Sequence, residues 1–274
     1  MLGSTVFFSG VNVCVKYLDH IPVHELVFFR SVISLLISIV LVSTLDAPFF
    51  GNNRKWLLVR GVFGFTALSL FFFTIKGLPL ATATTLQYLS PIFTVIFAIF
   101  LIGEKVKNIQ WIFFGIAFSG VVIMKGFEPG FDAKYFIMGI ISAVCSGVAY
   151  NGIMKCRKTD HPFTVVMYFP LVAVPIMGVW TFLDWTAPQG SDWILILVMG
   201  VGTQIAQVLM TRALQMETAA RITPLKYVGA IYATVLGYTI FDERLSAVTF
   251  IGIGLVLAGL LLNSFWKQRK QATS

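Results

Sequence analysis

The sequence predicts an all-α membrane protein, with ten transmembrane helices arranged as two inverted five-helix repeats. Three observations predict this. Of the 274 residues, 57% are hydrophobic and only 12% are charged, about half the ~25% charged share of soluble domains. The apolar residues gather into ten runs, each near the roughly 20 residues a helix needs to cross a bilayer. The chain also resembles itself when shifted by 139 residues.

The composition excludes other classes. A soluble fold of this length has too few polar side chains to cover its surface. The net charge of +8 sits in short gaps between apolar runs, where it orients a membrane protein. It does not form the contiguous basic patch of a nucleic-acid binder. The runs are too long, and lack the two-residue alternation, for a β-barrel. The membrane lipids are therefore a partner, and nucleic acid is not.

In chain order the runs lie at about 2–18, 24–43, 55–76, 81–102, 108–126, 134–155, 162–183, 193–214, 218–240 and 246–266. Turn-forming words separate them: DHIP (19–22), DAPFFGNN (46–53), KGLP (76–79), FEPGFD (127–132) and TAPQGSD (186–192). Met1 opens almost inside the first run, so leading residues before it are expected to be missing. No basic n-region or small-residue cleavage pattern marks a signal peptide.

Orientation follows from Lys and Arg. One side of the ten-span plan collects Arg54, Lys55, Arg60, Lys105, Lys107, Lys155, Arg157, Lys158, Arg212, Arg221, Lys267, Arg269 and Lys270. The other holds Lys16, Lys76, Lys125, Lys134 and Arg244. Both termini are therefore expected on the cytoplasmic side of a plasma membrane.

The 139-residue shift needs no gap. It aligns Asn12 with Asn151, Lys16 with Lys155, Tyr88 with Tyr227, Glu104 with Glu243, Gly115 with Gly254 and Gly120 with Gly259. Five spans per copy is an odd number, so the second copy (131–274) enters the membrane from the side opposite the first (1–130). Inverted repeats of this kind build secondary transporters.

Local words carry a further resemblance. ELVFFRSVISLLI (25–37), LPLATATTLQYLSPIFTVIFAIFLIGEK (78–105) and GIAFSGVVIM (115–124) resemble the EamA-type members of the drug/metabolite transporter superfamily. METAARITPLKYVGAIYATVLGYTIFDE (216–243) is a looser counterpart, with Ala230 opposite Pro91. The resemblance implies a ten-helix carrier of small metabolites in a bacterial inner membrane, with a central cavity between its halves.

Polar groups at membrane depth are costly and mark pathways. Lys226 lies roughly 12 Å into the ninth run, and its repeat mate is Gln87. Each precedes a tyrosine, Tyr227 or Tyr88, and lies near a proline, Pro224 or Pro91. Arg30 is about 9 Å into the second run. It either faces the pathway, pairs with an acidic helix end, or stretches to the outer interface. Asn12, Tyr150, Asn151, Gln204 and Gln207 face a cavity or hydrogen-bond between helices. Phe71, Phe72 and Phe73 read as lipid-facing or packing residues, and the paired glycines of the fifth and tenth runs as close helix contacts. Glu104 and Glu243 follow apolar runs and have basic neighbours, so an interfacial or structural role is expected for both, with gating as the alternative.

All twelve acidic residues and the three histidines fall in loops or near run ends, leaving no intramembrane proton relay. Cys14, Cys145 and Cys156 show no metal-ligand spacing. No catalytic residue, metal or cofactor is expected, and a membrane enzyme ranks last. The expected function is exchange or facilitated diffusion of a small anionic or zwitterionic metabolite by alternating access. Candidates are an amino acid, an organic acid or a nucleoside conjugate. Oligomerisation is not required. The alternative is a proton-driven multidrug exporter, for which buried negative charge would be needed.

Overall fold

A computed structural model describes residues 1–103, 106–127, 132–216 and 226–272. Glu104, Pro224 and the first part of the ninth run lie outside the described residues. Eleven helices form among the described residues: α1 (Leu2–Tyr17), α2 (Val23–Thr44), α3 (Arg54–Gly77), α4 (Leu80–Gln87), α5 (Ser90–Ile102), α6 (Asn108–Phe127), α7 (Ala133–Lys155), α8 (Pro162–Leu183), α9 (Asp192–Met216), α10 (Val228–Phe241) and α11 (Ala247–Ala272). No strand occurs among the described residues.

Among the described residues, seven stretches are long and apolar enough to cross a membrane: α2, α3, α4 with α5, α7, α8, α9 and the first part of α11. Ten were expected. The apolar stretches of α6 (Asn108–Met124) and α10 (Val228–Phe241) are shorter, and α1 has 16 residues.

Local chemistry sets several boundaries. Asp132 caps α7, its Oδ1 accepting from Lys134 N–H at 2.8 Å. Gly103 closes α5 with φ +77°, a left-handed position that suits glycine. Asp242 closes α10 with φ +50°, and Glu243 N–H then bonds Gly237 O at 3.1 Å. Asp is among the few side chains that visit this region.

The fourth run is not one continuous helix. It breaks at Tyr88–Leu89, between α4 and α5. Pro91 stands in the first turn of α5, where its missing N–H is tolerated but where it cannot continue the hydrogen bonding of α4.

α1 packs against α9, α7 against α3, α2 against α8, α6 against α11, and α4 against α10. Glycines allow the closest of these approaches. A Cβ at Gly120 would meet Gly252 O and Val256 N of α11, and one at Gly259 would meet Phe113 O and Ala117 N of α6. Gly115 and Gly254 have open space around them. Of the two aligned glycine pairs, only Gly120 and Gly259 make the expected close contacts.

One end of the bundle is tied by side chains. Glu243, after α10, forms an ion pair with Lys16 of α1 and accepts from Leu80 N–H at 2.7 Å. Lys16 Nζ also donates to Leu78 O at 2.9 Å. Lys76 donates to the carbonyls of Leu18, Asp19 and Ile21. Two lysines thus satisfy carbonyls left free at the ends of α1 and α3.

Candidate functional site

A cavity with an empty volume of about 980 Å3, its open mouth included, lies among α1, α3, α4 and α7. Residues of α2, α8, α9 and Lys226 complete the wall. The lining residues Thr5 to Asn12 of α1, Ser146 to Tyr150 of α7, and Gln207 and Met210 of α9 sit away from the end tied by Lys16 and Glu243.

Among the described residues, three cations reach this cavity: Arg30, Arg60 and Lys226. No carboxylate or histidine is among its described lining residues. Arg30 is 1% exposed and Arg60 3%. Arg30 Nε donates to Thr203 Oγ1 of α9 at 2.8 Å, and Arg60 Nη2 donates to Gln207 Oε1 at 3.0 Å. The guanidinium of Arg30 lies over the rings of Phe72 and Phe169, 5.7 and 5.0 Å from their centroids. That of Arg60 lies 5.9 Å from the same Phe169 centroid. Arg30 Nη1 and Arg60 Nε are buried with no hydrogen-bond partner among the described residues.

Gly64 makes room for this arrangement. It stands one turn beyond Arg60, and a Cβ there would collide with Arg60 Nη1. Lys226 is held differently. Its Nζ donates to the Tyr150 hydroxyl at 3.0 Å and lies 4.2 Å from that ring's centroid, combining a hydrogen bond with cation–π attraction.

Of the residues singled out from sequence, Lys226, Gln87, Tyr88, Asn12 and Arg30 line the cavity, as do Tyr150 and Gln207. Gln87 Nε2 donates to Ser146 Oγ at 2.7 Å, and its Oε1 accepts from Ser142 Oγ at 2.9 Å. Tyr227 is not at the cavity surface. It packs edge to face on Tyr88, with ring centroids 5.6 Å apart. Asn151 is turned into the α5–α7 contact, its Nδ2 donating to Thr94 O and Gly147 O at 3.0 and 2.9 Å. Gln204 ties α9 to α2, accepting from Ser34 Oγ at 2.5 Å and donating to Ser38 Oγ at 2.8 Å.

One sequence expectation is corrected and another is extended. Arg60 was counted among the charges of the cytoplasmic side, yet it is a buried wall residue. The signal was available: it lies six residues into α3, about 9 Å along the helix. Phe71 and Phe72 were read as lipid-facing or packing residues, and both do pack in the buried core. Both line the cavity, and Phe72 supports the Arg30 guanidinium.

An all-helical bundle with membrane-length apolar helices and a buried, cation-lined cavity is the build of a solute carrier. Comparison with known proteins specifies which kind. The EamA-like transporter family matches this chain twice, over residues 1–125 and 133–265, and the chain belongs to that family. It is 30% identical over 268 residues to the pseudopaline exporter CntI of Pseudomonas aeruginosa (strain UCBPP-PA14), covering 95% of this chain and 93% of that one. It is 23% identical to the S-adenosylmethionine uptake transporter of Rickettsia felis, covering 95% and 89%. It is 25% identical to mouse solute carrier family 35 member G1, covering 88% and 70%. A solved crystal structure with 18% identity superposes with a TM-score of 0.67 over 97% of this chain and 98% of that one. The protein is a multi-pass membrane transporter, not an enzyme.

Proposed function

We propose that this transporter is a secondary carrier that moves a small anionic or zwitterionic metabolite across the plasma membrane by alternating access. Its cargo is an amino acid, an organic acid or a nucleoside conjugate, and the cavity beside Lys226 and Arg30 is where it binds. The observation that carries this reading is the charge of the cavity. Arg30, Arg60 and Lys226 reach it, and no carboxylate does among the described lining residues. Buried cations without counter-charges are costly, and a bound anion offsets that cost. The same charge speaks against the alternative, a proton-driven exporter of cationic compounds.

The mechanism rests on two five-helix halves, residues 1–130 and 131–274, in opposite orientation with both termini cytoplasmic. Two observations support this. The family matches the two segments separately. The 139-residue shift also turns the α1–α9 contact into the α7–α3 contact. Rocking of one half against the other would break the tie of Lys16, Glu243 and Leu80 at one end and open the cavity there. With no titratable carboxylate or histidine among the described lining residues, exchange or facilitated diffusion needs no proton relay. Relatives named as an exporter and as an uptake transporter are consistent with a carrier whose gradients set direction.

Exchange in proteoliposomes tests the proposal. Wild-type protein should exchange anionic or zwitterionic metabolites, and Lys226→Ala should lower the rate at least about tenfold, the loss of one charge-assisted contact. Unchanged exchange of anions by Lys226→Ala would contradict the site, and transport of cationic dyes alone would contradict the substrate class.

A further inference from the structure

We propose that the transported molecule carries two anionic groups, and that Arg30 and Arg60 together form a subsite for one of them, separate from the Lys226–Tyr150 position that takes the other. This inference rests on the anionic-cargo reading above and narrows it.

Two guanidiniums gather at one ring. Arg30 lies 5.0 Å and Arg60 5.9 Å from the Phe169 centroid, on helices α2 and α3 that are distant in sequence from α8. Like charges this close repel, and the repulsion grows in a poorly solvated interior. A fold that needed only to fill space here would place apolar side chains instead. Each guanidinium is fixed by one neutral acceptor, Thr203 Oγ1 or Gln207 Oε1. Neither acceptor supplies negative charge. Each still has a buried nitrogen with no partner among the described residues, Arg30 Nη1 and Arg60 Nε. A guanidinium has five donors in a planar fork that matches a carboxylate with two parallel hydrogen bonds. The pair therefore brings unpartnered donors and uncompensated charge, among the described residues, together beside the cavity.

Lys226 is anchored on a different ring from that pair. Its ammonium lies on the Tyr150 ring and bonds the Tyr150 hydroxyl, whereas the two guanidiniums lie on Phe169. An ammonium acts as a compact point charge and takes an anion without the planar demand of a guanidinium. Apolar wall from Leu68 and Phe71 suits the carbon skeleton that joins the two anionic groups. A single carboxylate would leave two of the three cations uncompensated, at least one of them a buried arginine. A dianion leaves one.

Gly64 is the positioning residue of the subsite. Its missing side chain is what lets the Arg60 guanidinium fold back across the next helical turn.

The test is binding to the detergent-purified full-length protein, followed as thermal stabilisation over a concentration series. The probes are linear α,ω-dicarboxylates of increasing length, with their monoamides and diamides as matched molecules of lower charge. For wild type, the best-fitting dicarboxylate should bind about thirtyfold tighter than its monoamide, the return expected from a second charge-assisted contact. The diamide should bind weakest. Arg60→Gln and Arg30→Gln should each bring the dicarboxylate down to the monoamide's affinity. Arg60→Lys, a gentler change, should keep only part of the preference because it keeps charge and loses the fork. Equal affinity of dicarboxylate and monoamide for wild type overturns the two-anion inference while leaving single-anion transport standing. Stabilisation by cationic dyes with none by any carboxylate overturns both. Because the wild-type comparison needs no variant, a substitution that fails to fold does not rescue the proposal.

Discussion

Tyr88 and Tyr227, 139 residues apart in sequence, meet edge to face with ring centroids 5.6 Å apart and planes at 83°. Tyr88 stands between α4 and α5, and Tyr227 just before α10. Tyr88 also faces the cavity, while Tyr227 supports it from behind. A Cβ on Gly229 would collide with the Tyr88 hydroxyl, so the position of Tyr88 depends on α10 both through a ring and through an absent side chain.

Removing the supporting ring should therefore cost stability before it costs recognition. Tyr227→Ala is expected to destabilise by about 3 kcal/mol, as for other buried aromatic truncations. Tyr227→Phe should stay close to wild type. Thermal unfolding in detergent distinguishes the two, and equal loss in both would assign the effect to the hydroxyl instead of the ring pair.

The Lys16–Glu243 pair makes a different prediction. Both side chains are largely shielded, 18% and 11% exposed, and Glu243 also accepts from Leu80 N–H. Glu243→Ala removes both links and should shift the carrier toward opening at that end. A cysteine placed at Asn12, in a background without Cys14, Cys145 and Cys156, should then react faster with a maleimide applied from that side. No change in labelling rate would mean that the pair does not hold this end closed.

Contact between α6 and α11 should be intolerant of bulk at two glycines and tolerant at two others. Gly120→Leu or Gly259→Leu forces side-chain atoms against backbone of the facing helix and should cost about 1–3 kcal/mol. Gly115→Leu and Gly254→Leu meet open space and should be nearly neutral. Thermal stability of the four variants reads this directly.

Binding of cargo should vary little with pH. His is the side chain that ordinarily titrates between about pH 5 and 8, and none lines the cavity among the described residues. Cargo that keeps its own charge over that range should bind with unchanged affinity. A steep pH profile would point to a titrating group that this account does not include.

Much of the fold was legible in the sequence because lipid imposes a simple code of long apolar runs and turn words. The runs that became α2, α3, α7, α8 and α9 were placed to within a few residues. The break at Tyr88–Leu89 was visible only as Pro91, since a proline tells that hydrogen bonding must change and not where the helices will part. Lys226, Gln87 and Arg30 were legible as site candidates because polar groups at membrane depth are rare. Arg60 was missed because charge counting assigns a basic residue near a run end to the interface, while its depth along α3 says otherwise. Asn151 and Gln204 were as polar as Asn12, but which way each turns depends on neighbours from other helices, and the sequence of their own helices does not record that.

The central claim is that a cation-lined cavity selects anionic cargo through Lys226 and the arginines beside it. Thermal stabilisation of the purified protein across amino acids, carboxylates, nucleosides and cationic dyes tests it most directly. The account predicts stabilisation by anionic or zwitterionic metabolites that is lost in Lys226→Ala. Stabilisation by cationic dyes alone, or by anions equally in wild type and Lys226→Ala, would contradict it.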